Sequence, residues 1–412
     1  MHTFTLIFLL FLAASIIARL WLSQRQINHI AQHRNNVPEA FAEKISLQEH
    51  QKAADYSTTK LRFSRITLGW ETAWLLLWTV GGGLSMIDAW WTQYQLAPLW
   101  TGIAVILSLG LIMGLLDTPF SLYSTFVIEQ RFGFNKTTFK IWMTDLIKSA
   151  GLMLILGVPL IAAILWLMNQ AGDYWWIYAW GVWTVFSLFM IWAYPAFIAP
   201  LFNKFSPLED EQLKNRIDNL LTRCGFKSQG VFVVDGSRRS AHGNAYFTGF
   251  GNNKRIVFYD TLLESLSENE VEAVLAHELG HFKRNHIKKS LTLSISMTLA
   301  GFALLAWLMN SSWFYSALGV EQITTYNALI LFMFVLPVFT YFISPLFSAL
   351  SRKHEFEADD FAKQQSDYRA LVSALVNMYR ENASTLTPDP IHSMFYDSHP
   401  PASIRIAHLE SN

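Results

Sequence analysis

Within "AVLAHELGHFKRNH", residues 273–286, two histidines stand four apart with a glutamate beside the first. On a helix, positions i and i+4 share a face, so His277 and His281 can point two imidazoles at one ion. Glu278 then lies next to them, where a carboxylate takes a proton from metal-activated water; these are the mechanics of an H-E-x-x-H pattern. The chemistry is hydrolysis at a metal, with one zinc ion per chain as the expected cofactor. Cys224 is the single cysteine, so a thiolate cage is excluded and any further ligand is an imidazole or a carboxylate.

A hydrolytic zinc site uses three protein ligands and leaves the fourth position open. A third histidine two turns further on would fall at Arg284 or Ile287, and neither ligates. His286 is one residue out of register and is expected to cap the cytoplasmic helix end or to meet lipid headgroups. The other source is "SRKHEFEADDFAKQQ", which offers Glu355 and Asp359 at i, i+4. Glu355 could ligate while Asp359 accepts a hydrogen bond from a ligand imidazole and fixes its tautomer. Glu357 is the second candidate and His354 the third; the competing reading is an ordinary charged helix with its own ion pairs.

These residues need rigid elements under them. Ser267 and Glu270 are spaced as a capping box, which starts the helix that runs through the histidines. Upstream, "PLEDEQLKNRIDNLLTRCGF" has helical periodicity and a stop at Gly225. "GVFVVD" reads as a short strand, and "NAYFTGF", "GNN" and "KRIVFYD" read as a hairpin.

The rest of the chain is built for lipid. Of 412 residues, 52% are hydrophobic and only 15% charged, against about 25% charged in a soluble domain. Lys+Arg and Asp+Glu balance at 31 each, which gives no footprint for nucleic acid. Seven stretches are long and apolar enough to span a bilayer, at roughly 3–20, 67–90, 98–122, 146–168, 175–200, 289–309 and 326–349. The first lacks a basic n-region and is expected to be a retained helix rather than a cleaved signal. Every second connection is rich in Lys and Arg, which puts the N-terminus outside and both 204–288 and 351–412 in the cytoplasm. The expected fold is mainly α and polytopic, with a membrane region over 1–203. A metalloprotease region over 204–412 carries a small cytoplasmic α+β, zincin-like unit and two further membrane helices. Asp117, inside the third stretch, is a carboxylate at bilayer depth and a functional suspect on that ground.

Together, "HELGHFKRNH", "NAYFTGFGNNKRIVFYDTLL" and "EFEADDFA" resemble the type I CAAX prenyl endopeptidases, membrane zinc proteases of the gluzincin group. The likeness extends to "ISLQEHQKAADYSTTKLRF", "IEQRFGFNKTTFKIWMTDLIK" and "SHPPASIRIAHLE", and so covers nearly the whole chain. It implies seven membrane helices around a water-filled chamber, with His277, His281 and Glu355 on zinc and Glu278 as catalytic base. Asp359 matches a position with either a proton-donor or a ligand-supporting role, and its spacing favours the latter. Three further roles follow from the likeness: Asn244 holding a substrate carbonyl, His399 donating to an oxyanion, and Arg405 pairing with a substrate carboxylate. Their ordinary alternatives are a turn residue and solvated loop groups. The implied substrate is a peptide or protein cut C-terminal to a prenylated cysteine; this chain ends "LESN" and is not such a substrate itself. Short connections and a compact tail suggest a bacterial inner-membrane protein surrounded by lipid. Two other functions fit the same residues: a quality-control protease without prenyl specificity, and a zinc-bound membrane scaffold or transporter without catalysis.

Overall fold

The structure is a computed structural model that describes residues 2–226, 230–248 and 255–411. Among these, six helical segments are long and apolar enough to cross a membrane: Thr3–His33, Pro98–Phe132, Phe139–Gln170, Gly172–Phe202, His286–Met309 and Thr325–Gln365. The seventh expected crossing, at 67–90, is shared between two helices. We number these α1 (Thr3–His33), α2 (Leu47–Trp78), α3 (Gly83–Thr92) and α4 (Pro98–Tyr123). The chain breaks between α2 and α3 because Gly82 adopts φ +76°, a left-handed conformation that only glycine takes readily. A hydropathy pattern sees an unbroken apolar run there; the backbone sees "TVGGG".

The crossing helices continue as α5 (Phe139–Leu152), α6 (Val158–Gln170) and α7 (Trp175–Ala193). Only 11–28% of each span's most apolar window is buried. A close-packed bundle hides an apolar stripe on every helix, so these helices stand apart and leave faces open on both sides. Asp117 on α4 is exposed and accepts a hydrogen bond from the Trp70 indole at 3.2 Å. A carboxylate inside a membrane-crossing helix is tolerated where it is partnered or faces away from lipid, and the indole supplies that partner across α2 and α4. A buried polar knot ties α3 to α11 (Thr325–Thr340): Asp88 accepts from the Tyr326 hydroxyl at 2.6 Å and from Asn327 Nδ2 at 2.9 Å.

The second half of the chain builds a compact body. Its sheet contains β1 (Phe205–Pro207), β2 (Val231–Val234), β3 (Ala245–Thr248) and β4 (Arg255–Tyr259) in the order β1-β2-β4-β3. β2 runs parallel to β4, and β3 pairs with β4 antiparallel, so β3 is an edge strand. The expected "GNN" turn, with Gly249 and Phe250 before it, lies outside the described residues. Against the sheet pack α8 (Glu211–Cys224), which stops at left-handed Gly225 as its sequence suggests, and α9 (Glu268–Lys283), the histidine-bearing helix. The chain then runs through α10 (His286–Met309) and α11 back to α12 (Ser344–Gln365), followed by α13 (Tyr368–Glu381), α14 (Pro390–Tyr396) and α15 (Ala402–Glu410). Ile217, Phe258, Leu275, Leu279 and Leu375 share one core; each such side chain contributes roughly 1.5–3 kcal/mol on burial. The C-terminal segment is tied to the long first helix by Arg25, which meets Asp389 at 2.8 Å and 3.2 Å.

The capping box of α9 does more than start a helix. Glu270 accepts from the Ser267 backbone at 2.8 Å and its hydroxyl at 3.0 Å. Its other oxygen takes Asn377 Nδ2 at 2.8 Å and the Ser373 hydroxyl from α13. Burial works to raise this carboxyl, but the Ser373 and Ser267 hydrogen bonds outweigh it and hold the group below its ordinary value. A carboxyl depressed in the fold contributes stability above its unfolded value and loses it as pH falls through the folded one. Glu270→Ala should therefore lower the thermal midpoint at pH 7, by about 1–2 kcal/mol as for other lost caps. The gap from the parent protein should close in acid, as followed by thermal scans across pH; a gap that widens there would contradict this account.

Candidate metal centre

α9 and α12 cross so closely that a side chain at Gly280 would sit 2.9 Å from the Ala358 Cα and 3.0 Å from its carbonyl oxygen. The contact is backbone against backbone, so no rotamer change relieves it. It brings His277 and His281 on α9 within reach of Glu355 on α12. The candidate ligand atoms of these three residues lie within 4.8 Å of one another. His277 Nε2 is 3.2 Å from His281 Nε2 and 3.4 Å from Glu355 Oε2, and His281 Nε2 is 3.4 Å from Glu355 Oε1. Atoms held about 2.0–2.1 Å from a tetrahedral ion stand about 3.3 Å apart, so the spacing fits such an ion.

Hydrogen placement supports the same fit. His277 Nδ1 lies 2.8 Å from Asp359 Oδ1, an acceptor only, so the ring carries its proton there and turns an Nε2 lone pair toward His281. On His281, Nδ1 faces His286 Nδ1 at 3.1 Å, and the Nε2 lone pair faces back. Glu355 Oε2 is buried with no hydrogen-bond donor. Imidazole nitrogens and a carboxylate thus converge on one point, with Arg405 Nη1 no nearer to Glu355 than 3.6 Å, and a divalent cation fits between them. Two imidazoles and one carboxylate are a donor set suited to zinc.

Asp359 is completely buried, held by Arg405 Nε at 2.8 Å and Nη2 at 2.6 Å. Arg405 Nη2 also comes within 3.2 Å of His277 Nδ1, but both are donors that share Asp359 Oδ1. The expectation that Arg405 meets a substrate carboxylate is thereby corrected. It is buried, two of its nitrogens are committed to Asp359, and the third, Nη1, faces Glu355 at 3.6 Å. Burying a guanidinium requires a fixed counter-charge, and Asp359 supplies it. Burial alone would lower the guanidinium; the hydrogen bonds and charge of Asp359 hold it above its ordinary value.

Glu278 is half-buried and lines a cavity of about 330 Å³ with His277, Asn244, Tyr379, His399 and Arg405. Among the described residues, no hydrogen bond or ion pair occupies its carboxylate. His399 reaches Glu355 Oε1 at 3.4 Å yet is 65% exposed, so its ring borders the cavity and can turn. Asn244 is exposed at the head of β3, where its Oδ1 accepts from the Ala245 amide at 2.8 Å.

The second and third candidates for the carboxylate ligand are elsewhere. Glu357 meets His286 Nε2 at 2.9 Å, and the His354 ring stacks on His286 at 4.1 Å. His286 is the first residue of α10, at a helix end as expected, but its ring is buried beside His281 rather than set among headgroups. The reason is Asn285, whose left-handed φ of +57° separates α9 from α10 and so changes the direction in which His286 projects. Periodicity along an unbroken helix cannot detect that break, although an asparagine at the junction is the residue type that tolerates it.

Gly280→Ala should spoil the centre without touching a ligand. The added methyl forces α9 and α12 apart, at a cost of about 1–3 kcal/mol, and metal content measured on the purified protein should fall well below the parent level. Full occupancy in this variant would mean that the helix crossing does not set the site.

Two family models cover the chain: the CAAX prenyl protease N-terminal model, with five membrane helices, over residues 26–204, and peptidase family M48 over residues 207–412. CAAX prenyl protease 1 of Saccharomyces cerevisiae is 33% identical over 419 residues, spanning 95% of this chain and 91% of that protein. The CAAX prenyl protease 1 homolog of Arabidopsis thaliana is 41% identical over 295 residues, or 71% of this chain and 70% of that protein. The crystal structure of S. mikatae Ste24p superposes with a TM-score of 0.90 at 32% identity, covering 100% of this chain and 99% of that one.

Proposed function

The chain belongs to peptidase family M48 as a membrane-embedded metalloendopeptidase of CAAX prenyl protease type, and on that premise we propose one zinc ion bound by His277, His281 and Glu355. The substrates we propose are lipidated or membrane-associated proteins, cut near their C-terminus after a prenylated cysteine; the relatives' name, CAAX prenyl protease, supports a prenylated substrate. What carries this reading is the convergence of three ligand atoms beside an unpartnered glutamate in one cavity.

When bound, zinc supplies the Lewis acidity that polarises a carbonyl and acidifies a water. The chain's own residues do the rest. Glu278, unpartnered among the described residues, lines the cavity where it would take a proton from an attacking water and return it to the leaving amine. His399, exposed at the rim, donates to the oxyanion. Asp359 has no exposed surface and lies behind His277, so its role is to hold that ring's tautomer rather than to deliver a proton, and Arg405 keeps it in place. β3 offers a free strand edge to an extended peptide, with Asn244 at its head donating to a substrate carbonyl. Residues 1–203 form the membrane region and 204–412 the protease region. The Lys/Arg-rich connections support a cytoplasmic position for the catalytic segments.

Glu278→Gln is expected to keep one zinc per chain while cleavage falls by about 10²–10⁴-fold. Mass spectrometry of a farnesylated peptide incubated with the purified protein should show release of the residues after the lipidated cysteine. Equal cleavage of the unlipidated peptide would favour quality-control proteolysis, and full activity of the Gln variant would remove the catalytic scheme.

A further inference from the structure

Resting on zinc at His277, His281 and Glu355, we infer that His286 and Glu357 act as a positioning relay for His281, the counterpart of Asp359 behind His277. Each zinc-bound imidazole needs its other nitrogen to hold a proton, and that proton needs an acceptor. For His277 the acceptor is a carboxylate in direct contact. For His281 the partner among the described residues is another imidazole, His286 Nδ1 at 3.1 Å. An imidazole accepts at one nitrogen only if its other nitrogen keeps the hydrogen. Glu357 secures this: its Oε2 lies 2.9 Å from His286 Nε2, so His286 donates there and presents a lone pair at Nδ1. The chain of hydrogens then runs from His281 Nδ1–H to His286 Nδ1, and from His286 Nε2–H to Glu357.

Three features show that this arrangement is built rather than incidental. On an unbroken helix His286 would lie about 140° around the axis from His281, facing away; left-handed Asn285 brings it back. The His286 ring is almost fully buried and lies flat on His354, 4.1 Å between centroids and 10° between planes. Glu357 is held as a carboxylate by Lys289 and Lys353, each 4.0 Å away. Among the described residues no hydrogen bond or ion pair links His286 or Glu357 to His277 or Glu355, so their effect on the metal passes through the orientation and basicity of the His281 ring.

The test is zinc affinity, read by competition with a chromogenic chelator on the full-length protein in detergent, where no turnover is needed. His286→Phe keeps the ring on His354 but removes both nitrogens, and should weaken zinc binding about 10–100-fold. Glu357→Ala, on a side chain 30% exposed that is not needed for packing, should weaken it in the same direction. It also carries the test if His286→Phe fails to fold. In the cobalt-substituted protein both variants should shift the visible d–d bands, a change in ligand field that mere loss of packing would not produce. The relay is overturned if both variants bind zinc like the parent while His277→Ala has lost it. If His277→Ala also binds normally, the zinc assignment itself has failed.

Discussion

Two imidazoles and a buried carboxylate face one another at the crossing of α9 and α12, and their spacing is the constraint on which the rest of the molecule depends. Asp359 accepts the His277 Nδ1 proton, and His286 stands behind His281 in the same way. Glu355 is buried with one oxygen lacking a hydrogen-bond donor among the described residues. Arg405 Nη1, 3.6 Å away, supplies charge without a hydrogen bond, so that oxygen is left for a cation. The Gly280–Ala358 contact sets the spacing at which the same groups fit around it.

Much of this centre was legible in the sequence, because it rests on local geometry. The i, i+4 spacing of His277 and His281, the capping box at Ser267, and the i, i+4 pair Glu355 and Asp359 are all properties of single helices. What escaped was set by places where helices stop or meet. His286 looked misplaced because left-handed Asn285 breaks the helix before it, and α2 and α3 looked like one crossing because hydropathy is blind to a glycine run. Arg405 was assigned to substrate because nothing in its neighbours along the chain shows that it is buried against Asp359, 46 positions earlier. Tertiary charge pairing leaves no periodic trace.

The two halves of the chain solve different solvent problems. The crossing helices bury little of themselves against one another, yet polar knots at their ends, such as Asp88 with Tyr326 and Asn327, fix their separation. The catalytic body is packed like a soluble domain, with a continuous core shared by β4, α8, α9, α12 and α13. Arg25, reaching from the first helix to Asp389, bolts the segment that carries His399 and Arg405 onto the membrane part. A hydrolytic centre can therefore sit next to open, hydrated space without losing its rigidity.

The ligands come from two helices separated by two membrane-crossing segments, α10 and α11. During synthesis, the imidazole pair emerges first and must wait for both crossings to insert before Glu355 arrives. A nascent or prematurely arrested chain lacking α12 has neither the carboxylate nor Asp359, so it cannot digest its neighbours at the translocon. The order of the elements thus makes the proposed ligand set complete only after both crossings between α9 and α12 have been made.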